Sequence, residues 1–388
     1  MSSEDAPGWV DDLKDALDSE PDLEPTAPDQ AFDLWMQQQQ DSAESTLQSY
    51  RYRVRPILRF LSKRDINNLN DVSTRHIKEF QAEQRGGRQK QTLNNQWGTI
   101  KQFLRYCYEL NAVTEDVVVA VDVPDLSKED RVNTEKLIAD RAKEILDNLD
   151  RYRYASREHV LFLLLWRTTM RIGAIYSLDL NDLYLDDSDL ERLNEELQNQ
   201  GFAPHVVEGI LDDVELPIVY PRHRPESKTP LKNQDDGERV INVTDWVGEV
   251  IEDYLTVNRD NVEDEFGRKA LLTSQKGDGR LSKSAMRNWV YILTQPCEFG
   301  ALCPHDRDPE TCEAREHGYG SLCPSSRSPH KIRTGAITYH RDQGWSVSDI
   351  ADKANTSEEL IEGVYDQPEE LIRGAHRRAN LSKLDNNE

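Results

Sequence analysis

"SPHKIRTGAITYH", residues 328–340, places a Pro-His pair at the start of a helical run, with His330 and Arg333 three residues apart. Residues at this spacing lie on one face of a helix, and Pro is favoured at the first helical position. Four of the five cysteines of the chain lie just upstream. By itself the stretch fits a partly buried helix start and a functional site equally well, so the rest of the chain has to decide between them.

The composition predicts a soluble, cytoplasmic protein with a strongly acidic surface. The chain has 388 residues, a length typical of two or three domains, and no apolar run that predicts a membrane span or a signal peptide. Its 72 Asp and Glu against 48 Lys and Arg give a formal net charge of -24, which repels polyanions. The acidic residues are spread along the chain, however, and do not form one acidic tail. We interpret this as the surface of a halophilic protein, of haloarchaeal origin.

The N-terminal third predicts an arm followed by a small helical domain. Residues 1–30 are acidic, contain Pro and have few large apolar side chains, which favours a disordered arm. Apolar residues then recur at steps of three and four over 47–61 and again over 93–107, the pattern of buried helix faces. We therefore expect an all-helical domain over 31–120. Pro56 lies inside the first pattern and predicts a kink or a break there.

This helical domain is locally basic in an acidic chain. Two readings follow, a solvated helix face paired with nearby acids and a surface that binds phosphates. The second reading predicts a DNA-binding surface whose candidate residues are Arg51, Arg55, Arg88, Lys90 and Lys101.

A Pro-containing polar segment, residues 121–133, predicts a linker, and a second domain follows over 134–370 with a tail at 371–388. The apolar run "HVLFLLLW" (159–166) predicts a buried helix, and "VELPIVYPRHRPESKTPLKNQDDGERVINV" (214–243) predicts strands around a "NQDDG" turn. Helices are expected over about 134–148, 157–169, 245–258 and 282–294.

The cysteine-rich segment, residues 296–329, has few apolar side chains to bury. We expect it to be an ordered insert only if a cross-link such as a bound metal holds it together. It carries cysteines in a C-x5-C-x8-C-x10-C pattern, and a chain without a secretory signal disfavours disulfides. Four thiolates fit a tetrahedral structural zinc, with His305 or His317 as possible substitutes for one Cys; free or oxidised thiols are the alternative. The predicted ligands are Cys297, Cys303, Cys312 and Cys323.

Four pieces of the second domain occur in a fixed order: "MRIGAI" with Arg171, "ESKTPLKN" with Lys228, "PHKIR" with His330 and Arg333, and "EGVYDQ" with Tyr365. Because these motifs occur in this order and follow a basic helical domain in the sequence, the chain resembles the tyrosine recombinases of the phage-integrase and Xer type over about residues 31–370. The resemblance implies a mainly α fold with a small β-sheet, made of an N-terminal helical core-binding, SAM-like domain and an α+β catalytic domain.

The same residues make chemical sense for breaking a phosphodiester without hydrolysis. A Tyr hydroxyl can remain covalently attached to the phosphate, and we assign that role to Tyr365. Two guanidiniums match the oxygens that gain charge, which suggests Arg171 and Arg333. Lys228 is the expected acid for the leaving oxygen, and His330 is expected to assist the Tyr or the phosphate. No catalytic cofactor is needed.

Some alternatives remain open within this assignment. Lys232 rivals Lys228, although "SKT" fits the family pattern better than "LKN". A His or Trp expected before the Tyr is missing: the ungapped match is Thr356, and a shift of one residue gives Asn355. Ala174 stands where many relatives carry an acid that orients the first Arg. Arg171 has a structural reading as well, as a partner of Asp179 or Asp182.

The resemblance implies a site-specific DNA recombinase or integrase that works through a 3′-phosphotyrosyl intermediate, binds double-stranded DNA and assembles as a tetramer on synapsed sites. A recombinase-derived DNA-binding regulator with weak or lost catalysis is the main alternative, because the His or Trp is missing. A relaxing enzyme of the type IB topoisomerase kind is a third reading.

Overall fold

The computed structural model describes residues 23–127, 130, 135–274 and 279–365. The chain divides into two compact units, Met1–Asn133 and Thr134–Glu388. Among the described helices, none combines the length and the apolar character that a membrane span requires.

The first unit is all-helical in its described part. Its core forms where one face of α2, with Val54 and Leu61, meets the face of α4 that carries Trp97 and Leu104. Leu23–Ala27 already lie against this core, since the Glu24 N–H donates to the Asn111 carbonyl at 2.8 Å; the arm expected over 1–30 therefore ends sooner. The helices are α1 (Pro28–Gln38), α2 (Glu44–Ser62), α3 (Thr74–Arg85), α4 (Lys90–Glu109) and α5 (Glu115–Val119).

Pro56 does not interrupt α2, so the predicted break is wrong. A Pro inside a helix removes one backbone hydrogen bond, but burial of the flanking Val54, Ile57 and Leu61 holds the helix together. Pro56 itself lies on the surface of the helix, beside a groove between α2 and α4.

The second unit surrounds a nearly continuous apolar helix, α7, in which residues 159–166 are all buried, as the apolar run predicted. Helix α13 packs across it. The described helices of this unit are α6 (Ala139–Tyr152), α7 (Arg157–Thr168), α8 (Ile172–Ser177), α9 (Asp189–Asn199), α10 (Pro204–Asp213), α11 (Asp245–Asp253), α12 (Lys283–Leu293), α13 (Pro329–Asp342), α14 (Val347–Ala354) and α15 (Glu358–Leu360).

A small antiparallel sheet completes the second unit, with strand order β1 (Leu183–Tyr184), β2 (Ile218–Val219) and β3 (Ile241–Asn242). The strands are shorter than the sequence predicted, because the segment between β2 and β3 folds into two short 3₁₀ turns, Pro225–Ser227 and Gln234–Gly237. The sequence did not predict the α9–α10 hairpin that connects β1 to β2. The predicted class, mainly α with a small sheet, is confirmed.

Candidate active site

Arg171 lies at a sharp turn after the buried helix α7. Thr169 ends that helix in the left-handed conformation, with φ of 56°, and Arg171 is the N-cap of α8. Its Nη1 donates to the carbonyl of Asn355 at 2.7 Å. Asp179 and Asp182, the two acids of the structural reading of Arg171, bind other arginines: Asp179 binds Arg268 and Arg280, and Asp182 binds Arg224.

His330 and Arg333 lie in the first turns of α13. Ser328 caps this helix by accepting from the Lys331 N–H, and Pro329 occupies its first position, so the helix start was read correctly from the sequence. The Arg333 side chain is buried and donates to the carbonyl of Thr169. Arg333 thereby holds the turn that leads into Arg171, whose own guanidinium is held by the Asn355 carbonyl.

The surroundings of His330 are positively charged. Its ring is open to solvent on one side, yet the protein around it removes enough water to lower its pKa, and Arg333, Arg171 and Lys232 lower that pKa further. A lowered pKa keeps the imidazole neutral near pH 7. These electrostatic effects place His330, Arg171, Arg333 and Lys232 in one neighbourhood.

The two candidate lysines differ in their environments. Lys228 has a left-handed backbone, with φ of 57°, and its Nζ forms an ion pair with Glu265 at 2.8 Å; both side chains are about two-thirds exposed, at 68% and 64%. Lys232 is the lysine whose charge acts on His330. Asn233, the residue after Lys232, and Arg171 both bond to Asn355, so the turn that carries Lys232 lies beside Arg171.

Arg239 joins this neighbourhood and was missed by the sequence reading. Burial lowers its pKa to about 10, and the nearby Arg171 contributes. Its Nε donates to the Lys353 carbonyl at 2.9 Å and its Nη1 to the Gly237 carbonyl at 3.0 Å. A pKa of about 10 leaves Arg239 charged at neutral pH. We call Arg171, Lys232, Arg239, His330 and Arg333 the cation cluster.

Thr356 and Asn355, the two candidates for the missing His or Trp, follow α14. Asn355 has a left-handed backbone with φ of 48°. Its side chain accepts from Asn233 and donates to the Asp236 carbonyl. Thr356 uses its N–H for the Ala351 carbonyl at 3.0 Å and lines a shallow cleft shared with Arg239.

Tyr365 is the last residue of a π-helical turn, Ile361–Tyr365. The turn is anchored by Ile361, which is buried against Ile337 and Ile350. The side chain of Tyr365 lies outside the described part of the structure, as do residues 371–388, so its role as the nucleophile stays a prediction.

The four cysteines of the insert are all described and half-buried. Burial raises the pKa of the Cys297 thiol, and the nearby Cys303 and Cys323 raise it further. His305 contacts Ser325 at 2.9 Å, and His317 is exposed. Within the described residues, no group of three or more His, Cys, Asp or Glu side chains is arranged to hold a metal ion. The structure gives no support to the predicted zinc site.

The insert is instead anchored by buried polar side chains. Glu298, which is only 4% exposed, forms ion pairs with Arg153 and Arg315. Gln295 donates to the Ala314 carbonyl at 2.9 Å, and Ser326 donates to the Gly320 carbonyl at 2.7 Å. Buried polar groups of this kind stabilise a segment only when they are paired, and these are. They tie the segment that leads into α13 to the rest of the unit.

The predicted DNA-binding residues of the first unit fall into two groups. Arg55 and Arg88 line one groove between α2 and α4, together with Arg53, Arg59 and Tyr52. Arg88 also donates to the Gln96 side chain at 2.8 Å, and the other three have partners within the unit as well. Arg51 pairs with Glu44 at 3.0 Å, Lys90 pairs with Asp130 at 2.6 Å, and Lys101 donates to the Val121 carbonyl at 3.4 Å.

Comparison with known proteins agrees with this architecture. Residues 30–110 match the family described as phage integrase, N-terminal SAM-like domain. The tyrosine recombinase XerC of Pseudomonas syringae pv. syringae (strain B728a) is 23% identical over 159 residues, which are 40% of this chain and 52% of that protein. The chain thus spans about half the length of this curated relative.

Two solved structures share the fold over most of the chain. The Tn1549 transposon integrase in complex with transposon right end DNA has a TM-score of 0.57 at 13% identity and covers 93% of this chain and 100% of that one. The lambda integrase tetramer bound to a Holliday junction has a TM-score of 0.55 at 11% identity and covers 89% of this chain and 78% of that one. The chain has the integrase fold, and the matches together support its placement among the tyrosine recombinases.

Proposed function

We propose that the chain is a site-specific DNA recombinase or integrase that cleaves and rejoins DNA through a 3′-phosphotyrosyl intermediate. The observation that carries the proposal is the placement of the two arginines: Arg333 donates to the Thr169 carbonyl, two residues before Arg171, and Arg171 donates to the Asn355 carbonyl. A phosphodiester gains charge on its non-bridging oxygens as it is attacked, and fixed cations stabilise that charge.

In the proposed step, the hydroxyl oxygen of Tyr365 forms a bond to phosphorus and the bond from phosphorus to the 5′ oxygen breaks. Arg171 and Arg333 donate to the non-bridging oxygens in a fork. The hydroxyl proton passes from the Tyr to a base, for which neutral His330 is the candidate, and the 5′ oxygen receives a proton from an acid. Attack by a 5′ hydroxyl on the phosphotyrosine reverses the step and rejoins the strand. All groups in this scheme are side chains of the protein or atoms of DNA.

Lys232 is our proposed acid, ahead of Lys228, because it lies near the arginines while Lys228 is engaged with Glu265. His330, kept neutral by its lowered pKa, suits proton exchange with the Tyr hydroxyl or a hydrogen bond to the phosphate.

The first unit is proposed to hold the DNA through the groove that Arg55, Arg59 and Arg88 line. Phosphate contacts of this kind lose affinity steeply with salt, so a protein of the proposed halophilic origin needs many of them to bind DNA. A tetramer on synapsed DNA sites is proposed by analogy with the lambda integrase tetramer on a Holliday junction.

A covalent-trapping assay tests the function. Duplexes are selected for binding from a random-sequence library, nicked so that the cleaved fragment diffuses away, and incubated with the protein. A protein–DNA band resistant to denaturant that disappears in Tyr365→Phe supports the recombinase. Selected duplexes that bind tightly but never form the band indicate the DNA-binding regulator. This second candidate remains because Asn355, one of the two residues at the place of the expected His or Trp, uses its side chain for bonds within the protein.

A further inference from the structure

Three segments of the proposed active site meet at Asn355. Its carbonyl oxygen accepts from Arg171 Nη1 at 2.7 Å. Its side-chain nitrogen donates to the Asp236 carbonyl at 2.5 Å, and its side-chain oxygen accepts from Asn233 Nδ2. Asn233 directly follows Lys232, and Asn355 lies ten residues before Tyr365. One residue therefore contacts the turn of the first Arg, the turn of the lysine and the segment that leads to the Tyr.

The residue type fits this position for two reasons. The backbone at 355 is left-handed, with φ of 48°, a conformation that Gly and Asn adopt most readily. The amide then offers both a donor and an acceptor, and Asn355 uses one of each on the turn over 233–236. Gly would provide the conformation without the amide, and a branched side chain would provide neither.

A second contact joins the same two segments. Arg239, just after the lysine turn, donates from Nε to the Lys353 carbonyl at 2.9 Å. Its Nη1 donates to the Gly237 carbonyl at 3.0 Å, which binds the guanidinium to the turn as well. The end of α14 and the turn after Lys232, residues 233–236, are therefore joined twice. One link is made by Arg239 and the other by the side chain of Asn355.

Arg171 takes one of its contacts from across the site. Ala174, one turn into α8, presents only a methyl group and is buried, and the Asn355 carbonyl accepts from Arg171 Nη1 at 2.7 Å. A carbonyl directs a guanidinium without cancelling its charge.

We propose that Asn355 is a positioning residue that sets the lysine turn and Arg171 in register with the segment carrying Tyr365. This inference rests on the proposed recombinase function. Its side-chain oxygen and nitrogen already bind Asn233 and the Asp236 carbonyl, so its role is to hold protein groups and not to contact the DNA phosphate.

Asn355→Gly isolates the amide, because it keeps the left-handed backbone and removes both side-chain hydrogen bonds. Asn233→Ala removes one of the same bonds from the other side. We expect both variants to form the covalent adduct more slowly on the selected nicked duplex, Asn355→Gly by about tenfold or more, the scale of a misplaced general acid. The double variant should be no slower than Asn355→Gly, because the two changes remove a shared contact.

A chemical readout separates positioning from a general loss of structure. In a duplex with sulfur in place of the bridging 5′ oxygen, the leaving group is a weaker base and departs without a proton from the enzyme. Asn355→Gly should then approach the wild-type rate to within about threefold, because the misplaced acid is no longer needed. A wild-type rate on the oxygen substrate, or an equal loss on both substrates, would overturn the proposal.

A measurement without DNA keeps this inference separate from the function. Hydrogen exchange of the backbone amides over 233–239 should speed up in Asn355→Gly while exchange in α7 stays as in the wild type. If the wild type forms no adduct and this local loosening occurs, the function fails and the link at Asn355 stands. Unchanged exchange over 233–239 would overturn the link itself.

Discussion

Two groups of arginines in the second unit are held in opposite ways. In the paired network, defined by Asp179, Asp264, Arg268 and Arg280, guanidiniums meet carboxylates: Asp179 binds Arg268 and Arg280, each at 2.5 Å, and Asp264 binds Arg280 at 2.8 Å. In the cation cluster, guanidiniums donate to backbone carbonyls, as Arg171 does to Asn355 and Arg239 does to Lys353.

The difference separates support from function. A carboxylate neutralises a guanidinium and makes a buried pair that is costly to break. A carbonyl orients a guanidinium but leaves its full charge to act on what approaches. The paired network also reaches the lysine hairpin, because Arg268 donates to Ser227 and Thr229 on either side of Lys228. We infer that the network supports the fold and that the cluster is where an anion binds.

Asp179→Asn should have the largest effect, and the effect should be on stability. It leaves the guanidiniums of Arg268 and Arg280 buried with less negative charge, so we expect a loss of about 3–5 kcal/mol in the free energy of unfolding. Denaturant unfolding measures it. Glu265→Gln, in an exposed ion pair, is the matched control and should cost less than about 1 kcal/mol. Equal losses in the two variants would remove the distinction between the paired network and an ordinary surface pair.

Arg171→Ala should act on catalysis. It removes one cation from the cluster, so the rate of adduct formation should fall by about 10²–10³-fold, as for loss of one fixed donor to a developing charge. Arg151→Ala, at an exposed position in α6, is the control and should leave the rate unchanged. An Arg171→Ala protein with the wild-type rate would place the reaction elsewhere.

The titration of His330 tests the cluster without DNA. Partial loss of water lowers its pKa first, and Arg333, Arg171 and Lys232 lower it further. Removing Arg171 should therefore raise this pKa, so that the imidazole gains its proton at a higher pH than in the wild type. Nuclear magnetic resonance of the ring protons follows the titration. An unchanged pKa in Arg171→Ala would mean that the two side chains do not share an electrostatic environment.

Lys228→Ala should have the smallest effect. Its ion pair with Glu265 is exposed on both sides, and such pairs contribute about 0–1 kcal/mol. The rate of adduct formation should stay within about threefold of wild type, whereas Lys232→Ala should lower it about 10²-fold or more. The reverse order of the two variants would return the acid role to Lys228.

The sequence predicted the parts of the molecule that local patterns determine. Residues 159–166 form the buried helix that their apolar run required, and His330 and Arg333 lie on the predicted helix start. The mainly helical class with a small sheet, which the resemblance implied, is also the fold of the matched integrases. These features depend on neighbours close in the chain, or on a pattern shared by a family.

The choice of lysine and the link at Asn355 were beyond such patterns. Lys228 and Lys232 are four residues apart, and their different surroundings, Glu265 beside Lys228 and Asn355 beside the turn of Lys232, exist only in the folded chain. Asn233 and Asn355 are 122 residues apart, and no spacing rule connects them. The ion pairs of Glu298 with Arg153 and Arg315 in the insert were also beyond the sequence, because Arg153 lies 145 residues away.

The most direct test of the account is to find which atom of the protein becomes attached to DNA. The wild-type protein is trapped on the selected nicked duplex, digested, and the peptide that carries a nucleotide is sequenced by mass spectrometry. The account predicts a phosphate-linked nucleotide on Tyr365 and no adduct in Tyr365→Phe. An adduct on a different residue, or one that persists in Tyr365→Phe, would contradict it.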